Sequence, residues 1–186
     1  MIIIGITGTL GAGKGTLVEY LMEHKGFAHY SVRSFLTEEI NKRALPLDRD
    51  SMVLVANELR ASFHPGYIAE QLFEQARQSG KNCIIESIRT PGEAELLKSK
   101  GNFFLLAVDA NAEVRYERIR NRNSETDQVS LETFIENEAR EMDSVDPNKQ
   151  NIRKCIQMAD FTLTNNSSTT ELFVKLELIL NQILSQ

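Results

Sequence analysis

At 186 residues, the chain has the length of one ordinary domain with a substantial core. Its hydrophobic fraction of 41% and charged fraction of 25% are typical of a soluble globular protein. The formal net charge of -5 argues against general binding of nucleic acid through a basic surface. No apolar run approaches the roughly 18 residues of a membrane span. We therefore expect a cytoplasmic protein, either a monomer or a small homo-oligomer, with no nucleic-acid partner and no membrane partner.

The first feature along the chain is a glycine-rich turn between a predicted strand and a predicted helix. The apolar run 1–6 is typical of a buried strand and not of a signal peptide, and apolar residues recur at helical spacing in 17–23. Glycines let successive backbone N–H groups converge on one anion, and a helix N-terminus and Lys14 add positive charge. The sequence predicts a loop that binds the phosphates of ATP through Gly8, Leu10, Gly11, Ala12, Gly13, Lys14, Gly15 and Thr16.

This loop departs from the strict phosphate-binding pattern at one position. Gly15 stands where a serine or threonine directly follows the lysine in that pattern, and Thr16 comes one residue later. We expect the Thr16 hydroxyl to reach a phosphate oxygen or a water on a metal ion. The alternative is a glycine-rich turn without a ligand. We disfavour it because four glycines and a lysine at this spacing have no evident packing rationale.

The remaining chain alternates apolar runs with helical patterns. Further strands are predicted at 27–32, 82–87, 103–108 and 160–164, and the stretch 34–78 is predicted to be helical without a strand. Helices are also predicted from Thr90, from Asn111 to about Arg122, and at 131–142, 148–158 and 169–184. The pattern predicts an α/β protein with three layers, in which a parallel five-stranded sheet has helices on both faces. In such sheets, ligands bind at the carboxyl ends of the strands. Cys83 and Cys155 are predicted to be buried reduced thiols.

Several charged residues are expected near those strand ends. Glu86 ends the third strand, where a carboxylate can hold water on a magnesium ion or orient a phosphoryl acceptor. The alternative is that Glu86 caps a neighbouring N–H group. Arg89 follows and is expected to face the same crevice.

A cluster of arginines follows the fourth strand at 115–122. Arg118 and Arg122 are four residues apart and share a helical face, and the polar stretch 123–130 has the composition of a flap. Arginines at the edge of a flap suit a phosphoryl group in transit, and Arg140 could reach the same point. A solvated basic helix end is the alternative. On the stretch 34–78 and just before it, Arg33, Arg49 and Arg60 are candidates to hold an acceptor.

Together these residues resemble the adenylate kinase and nucleoside monophosphate kinase family. The loop 8–16 looks like the family's phosphate loop, 86–89 resembles its strand end, and 118–122 resembles the start of its lid. The ending 159–166 is similar to that of dephospho-CoA kinase, whose ATP base lies beside this turn. The resemblance implies a single P-loop kinase domain, 1–186, with an acceptor-binding arm at 34–78 and a short lid at 118–130.

The resemblance also implies roles for individual residues and the identity of the cofactors. ATP would donate the phosphoryl group and Mg²⁺ would assist, held through water by Thr16 and Glu86. The implied catalytic residues are Lys14, Arg118, Arg122 and Arg140. By this resemblance Arg89 would grip the phosphate of the acceptor, and Arg33, Arg49 and Arg60 join it as acceptor-binding candidates from their positions along the chain.

The predicted function is transfer of the γ-phosphoryl group of ATP to a small-molecule phosphate acceptor that bears a phosphate or a hydroxyl group, with a nucleoside monophosphate as the leading acceptor. Members of the family often carry Gly-Asp before the first acceptor-site helix and an arginine a few residues later. In this chain the corresponding residues are Arg33-Ser34 and then Thr37. The acceptor therefore stays open. One alternative is dephospho-CoA kinase. The other is a switch or assembly factor that binds and hydrolyses ATP without a small acceptor.

Overall fold

The computed structural model describes residues 1–121 and 129–185. Its sheet contains five strands, which are β1 (Ile3–Gly8), β2 (Ala28–Ser31), β3 (Cys83–Glu86), β4 (Phe103–Asp109) and β5 (Phe161–Thr164). Neighbouring strands pair in parallel in the order β2-β3-β1-β4-β5. The predicted parallel five-stranded sheet is confirmed, and β1 lies at its centre.

Helices connect the strands and cover both faces of the sheet. They are α1 (Lys14–Lys25), α2 (Val32–Lys42), α3 (Arg49–Ser62), α4 (Tyr67–Ser79), α5 (Pro91–Ser99), α6 (Ala112–Arg120), α7 (Leu131–Met142), α8 (Ile152–Gln157) and α9 (Thr169–Leu184). Three of them, α2, α3 and α4, follow one another between β2 and β3. In the part of the chain that the structure describes, no helix combines the length and the apolar character needed to cross a membrane.

The sheet has a core on each face because successive residues of a strand point to opposite sides. Ile4 and Ile6 of β1 pack with residues of α1 and α9. Ile3 packs on the other face with residues of α2, α3, α4 and α5. Ile84 and Ile85 divide in the same way between the two cores. Burial on both faces explains why the strands are nearly continuous apolar runs in the sequence. Cys83 and Cys155 are buried and free, as predicted.

Helix ends follow the local chemistry of the sequence. The capping box predicted at Thr90 is present, because Thr90 accepts from the Glu93 N–H and Glu93 accepts from the Thr90 N–H. The helix predicted at 148–158 is shorter, since the Asn151 side chain accepts from the Lys154 N–H and starts α8 at Ile152. The helix α6 ends at Arg120, close to its predicted end at about Arg122, which lies outside the described residues.

We predict that Gly8→Ala destabilises the fold, whereas Gly15→Ala does not. A Cβ on Gly8 would lie 1.9 Å from the Val108 carbonyl oxygen, and the φ of Gly8 is 133°. Gly15 lies in α1, and a Cβ there would meet nothing within 4 Å. Urea unfolding should show a loss of about 3 kcal/mol or more for Gly8→Ala. For Gly15→Ala it should show a gain of up to about 1 kcal/mol. Equal unfolding free energies for the two variants would contradict the close approach of β1 to β4.

Candidate functional site

The glycine-rich loop joins the end of β1 to the start of α1 and has a left-handed backbone at three positions. Gly8, Gly11 and Gly13 have φ values of 133°, 80° and 100°. A Cβ on Gly13 would lie 2.4 Å from Asn165 Nδ2, in addition to the clash already described for Gly8. The expectation that these glycines lack a packing rationale is therefore wrong. At Gly15 the surroundings leave room for a side chain.

Side chains from three other parts of the chain brace this loop. Thr9 Oγ1 donates to Asp109 Oδ1 at 2.6 Å, and Asn165 Nδ2 donates to the Ala12 carbonyl oxygen at 2.8 Å. The buried guanidinium of Arg115 donates to the Leu10 carbonyl oxygen at 3.2 Å. These bonds hold the loop in shape without using the N–H groups at the start of α1.

The N-terminus of α1 is suited to an anion. Gly13 caps it without a side-chain hydrogen bond from the described residues, and no acidic residue lies in its first turn. The first N–H groups of a helix have no partner within the helix and carry the positive end of its dipole. Lys14 adds a full charge, and its Nζ donates to the carbonyl oxygens of Gly8 at 2.9 Å and Thr9 at 2.6 Å.

A cavity of about 290 Å³ opens beside the loop. Leu10, Gly11, Gly13, Lys14 and Gly15 line one wall. The opposite wall comes from α2, α3 and the turn between them and includes Val32, Leu36, Leu47, Met52, Val53 and Ala56. The end of β3 contributes Glu86, Ser87 and Arg89. One cavity therefore joins the predicted phosphate loop to the helical stretch between β2 and β3.

Glu86 faces this cavity as a carboxylate held by neighbours. Ser31 Oγ donates to Glu86 Oε1 at 2.9 Å, and His29 Nε2 lies 3.5 Å from the same oxygen. Burial raises the pKa of the Glu86 carboxyl, but the hydrogen bonds and the charge of Lys14 lower it by more, so its pKa lies below the ordinary value. Glu86 is thus ionised at neutral pH. The next residue, Ser87, has a φ of 65°, which for a side chain with a Cβ costs about 1–2 kcal/mol.

All four arginines predicted to bind an acceptor line the cavity. Arg33 is exposed on α2. Arg60 has only 1% of its surface exposed, and its Nη2 donates to Glu93 Oε1 at 2.7 Å. Arg60 Nη1 is buried and has no hydrogen-bond partner in the described part of the chain. The side chains of Arg49 and Arg89 are about a quarter exposed and converge on a carboxylate that the sequence did not single out.

That carboxylate belongs to Glu141 of α7, which is 3% exposed. Arg49 Nη2 donates to its Oε1, and Arg89 Nη1 donates to its Oε2 at 2.5 Å. Arg89 Nη1 also donates to Gln150 Oε1 at 3.0 Å. Burial raises the pKa of Glu141, but the charges of Arg89, Arg49 and Lys14 lower it by more, so its pKa also lies below the ordinary value. No sequence pattern distinguishes Glu141 from the other acidic residues of α7.

A second cavity of about 220 Å³ lies on the other side of the loop. Arg118 and Thr16 line it together with Asn165, and Arg118 Nη1 donates to the Asn165 carbonyl oxygen at 2.9 Å. Thr16 therefore lines this cavity, whereas Glu86 lines the larger one. The structure does not bring the two predicted metal-binding residues into one cavity.

Two further predicted residues lie elsewhere. Arg140 is exposed on α7, and its Nη1 donates to Asp50 Oδ1 at 3.3 Å in the first turn of α3. Arg122 lies outside the described residues, as does most of the predicted lid at 118–130.

Comparison with known proteins agrees with this fold and loop. A family model described as an AAA domain matches residues 4–146. A UPF0200 protein of Sulfurisphaera tokodaii is 30% identical over 98% of this chain and 97% of its own length. Shikimate kinase from Aquifex aeolicus has a TM-score of 0.54 at 16% identity, covering 97% of each chain. Dephospho-CoA kinase from Campylobacter jejuni has a TM-score of 0.51 at 17% identity, covering 97% of this chain and 96% of its own.

The parallel sheet with the glycine loop at the end of its central strand defines a P-loop protein of kinase-like fold. More particularly, the chain belongs to the AAA domain family and to the UPF0200 proteins.

We predict that Glu93→Ala destabilises the protein by about 3–5 kcal/mol, because it leaves the buried charge of Arg60 without its partner. Glu93 also accepts from the N–H groups of Arg89 and Thr90, so the end of β3 would loosen. Glu95→Ala is the matched control, since Glu95 is exposed on the same helix and should change stability by less than about 0.5 kcal/mol. Chemical unfolding measures both. Similar losses in the two variants would contradict a specific role for the pair.

The lowered pKa of Glu141 predicts a pH-dependent loss of stability in Glu141→Gln. A carboxyl whose folded pKa is depressed contributes stability above its unfolded pKa, and that contribution disappears as the pH falls through the folded pKa. The gap in unfolding free energy between wild type and Glu141→Gln should be full at neutral pH and close in acid. Glu136→Gln, an exposed change on the same helix, should show no such pH-dependent gap. A gap independent of pH for Glu141→Gln would show that the ionised carboxylate is not the stabilising form.

Proposed function

We propose that this protein transfers the γ-phosphoryl group of ATP to a small acceptor bound in the larger cavity. The observation that carries this proposal is the arrangement of the cavity. The loop with Lys14 forms one wall, and the arginine-bearing helices form the opposite wall. A donor phosphate on the loop would therefore face a molecule held by those helices. A switch that only hydrolyses ATP has no need of a second wall suited to a small molecule.

In this proposal ATP spans both cavities. Its β- and γ-phosphates lie on the N–H groups at the start of α1, where Lys14 Nζ exchanges a carbonyl oxygen for a phosphate oxygen. Its base lies in the second cavity beside Arg118 and Asn165. The hydrogen bond from Asn165 to the loop would couple the base site to the phosphate site.

The residues present fit a magnesium ion that is held largely by phosphate and water. The described residues contain no cluster of three or more carboxylate, histidine or cysteine ligands. Magnesium in phosphoryl-transfer sites commonly keeps several waters and uses only one or two carboxylates. Glu86, ionised and facing the cavity, would hold a water of the ion, and Thr16, which lines the second cavity, would contact a phosphate oxygen. The ion would supply neutralisation of the negative charge on the phosphates.

The acceptor would bind between α2, α3 and the end of β3, so 34–78 would serve as an acceptor arm within one P-loop kinase domain. Arg33, Arg49, Arg60 and Arg89 supply its guanidinium groups. We keep Arg118, Arg122 and Arg140 as proposed catalytic residues on and after a lid at 118–130. Exclusion of water by such a lid would limit wasteful hydrolysis.

The test is the rate of ADP release from ATP and Mg²⁺ with a panel of acceptors. The panel contains the ribo- and deoxynucleoside monophosphates and dephospho-CoA, which the resemblance predicts, together with unphosphorylated nucleosides, sugars and hydroxy acids. We expect one acceptor class to raise ADP release at least about 100-fold above the rate with ATP alone, because positioning a reactant contributes several powers of ten.

Lys14→Ala is the control and should abolish the stimulation. Lys25→Ala removes a lysine at the other end of α1, which pairs with Glu177, and should leave the rate unchanged. Slow hydrolysis that no acceptor stimulates, yet is lost in Lys14→Ala, would overturn phosphoryl transfer and favour a nucleotide-dependent switch.

A further inference from the structure

We infer that Glu141 excludes phosphate dianions from the arginine end of the larger cavity, so that the acceptor is a hydroxyl-bearing molecule without a phosphate group. This inference rests on the proposed function, because it names the chemical class of the acceptor at the same site. It also differs from the acceptors that the resemblance predicts, which all carry a phosphate.

The two arginines that converge in the cavity are already paired with an anion. Arg49 bonds to one oxygen of Glu141 and Arg89 bonds to the other, so a single carboxylate bridges both guanidinium groups. Glu141 is 3% exposed, and its lowered pKa keeps it ionised at neutral pH. The pair of arginines therefore already holds an anion, and that anion is part of the protein.

A phosphate dianion could reach these arginines in only two ways, and both are unfavourable. If it displaced Glu141, a buried carboxylate would lose both of its charged partners. If it shared the arginines with Glu141, its two negative charges would lie beside the ionised carboxylate, and that repulsion would oppose the attraction to Arg49 and Arg89. A hydroxyl group avoids both costs, since it can donate to Glu141 while the arginines stay in place.

A third arginine of the cavity, Arg60, is also compensated by a carboxylate. Arg60 pairs with Glu93, which is 0% exposed and therefore cannot be replaced by a ligand from the cavity. Arg60 Nη1 and Arg49 Nε are buried and have no hydrogen-bond partner among residues 1–121 and 129–185. Single N–H donors match the neutral oxygen of a hydroxyl or carbonyl group.

The rest of the cavity fits such a molecule. Val32, Leu36, Met52 and Ala56 supply apolar surface for a carbon skeleton. Arg33 is the remaining cation of the helical wall, but it is exposed, where water and salt screen its charge. Carboxylate acceptors and guanidinium donors next to an apolar wall match a compound with several hydroxyl groups.

Binding to matched pairs of compounds tests the inference without depending on turnover. The pairs are ribose and ribose 5-phosphate, glycerol and glycerol 3-phosphate, and adenosine and its monophosphate. Calorimetry with saturating ADP and Mg²⁺ keeps the donor site filled. In the wild-type protein we expect no phosphorylated member to bind more tightly than its partner. In Glu141→Gln we expect at least one phosphorylated member to bind at least about 10-fold more tightly than it binds to wild type.

Glu136→Gln removes the same charge from the same helix at an exposed position and should bind all compounds as the wild type does. A phosphorylated compound that binds the wild type more than about 10-fold more tightly than its partner would overturn the inference, whether or not Glu141→Gln folds. Unchanged binding in a folded Glu141→Gln would also overturn it. These two binding results are distinct from a failure of the proposed function. If the proposed function is wrong, no acceptor stimulates ADP release.

Discussion

The parallel pairing of β1 with β3 on one side and β4 on the other positions the whole candidate site. It places the ends of three strands on one edge of the sheet, so that Gly8, Glu86 and Asp109 lie near one another in space although they are far apart in sequence. At Gly8 the backbone passes so close to Val108 that no side chain fits. The loop can begin there only because that residue is glycine, and α1 then starts with its N-terminus beside the ends of the neighbouring strands.

Charge compensation gives the cavity a character that its arginines alone do not suggest. Four arginines and Lys14 line it, which would indicate a strongly basic site. Glu93 neutralises Arg60, however, and Glu141 lies between Arg49 and Arg89. Guanidinium groups that are already paired act as fixed hydrogen-bond donors more than as free charges. Lys14 and the end of α1 add positive charge at the loop, where they face a prospective phosphate.

Two ion pairs at adjacent positions join α3 to α7, and the two pairs have opposite polarity. Arg49 and Asp50 of α3 pair with Glu141 and Arg140 of α7, respectively. The pair of Arg49 with Glu141 is largely buried, whereas the pair of Asp50 with Arg140 is exposed. Water therefore weakens the attraction within the second pair more than within the first.

The sequence by itself determined the features that depend on local pattern and spacing. The strand, glycine loop and helix at the start of the chain, the alternation that leads to a parallel sheet, the capping box at Thr90 and the buried cysteines are all visible in the order of residues. Local signals suffice there because strand periodicity, helix capping and glycine conformations act within a few residues. The adenylate-kinase resemblance and the roles of the lid arginines stay predictions.

Only the tertiary structure decided which charges meet. The pairing of Glu141 with Arg49 and Arg89 joins residues separated by 92 and 52 positions, and Asn165 reaches Ala12 across 153. An acidic residue in a helix carries no local sign of its partner, since the partner is set by how α7 crosses α3 and the end of β3. Gly13 has both kinds of requirement, because its φ of 100° is a local feature and Asn165 leaves no room for a Cβ. Long-range contacts of this kind depend on packing geometry, and here they set which charged groups meet at the cavity.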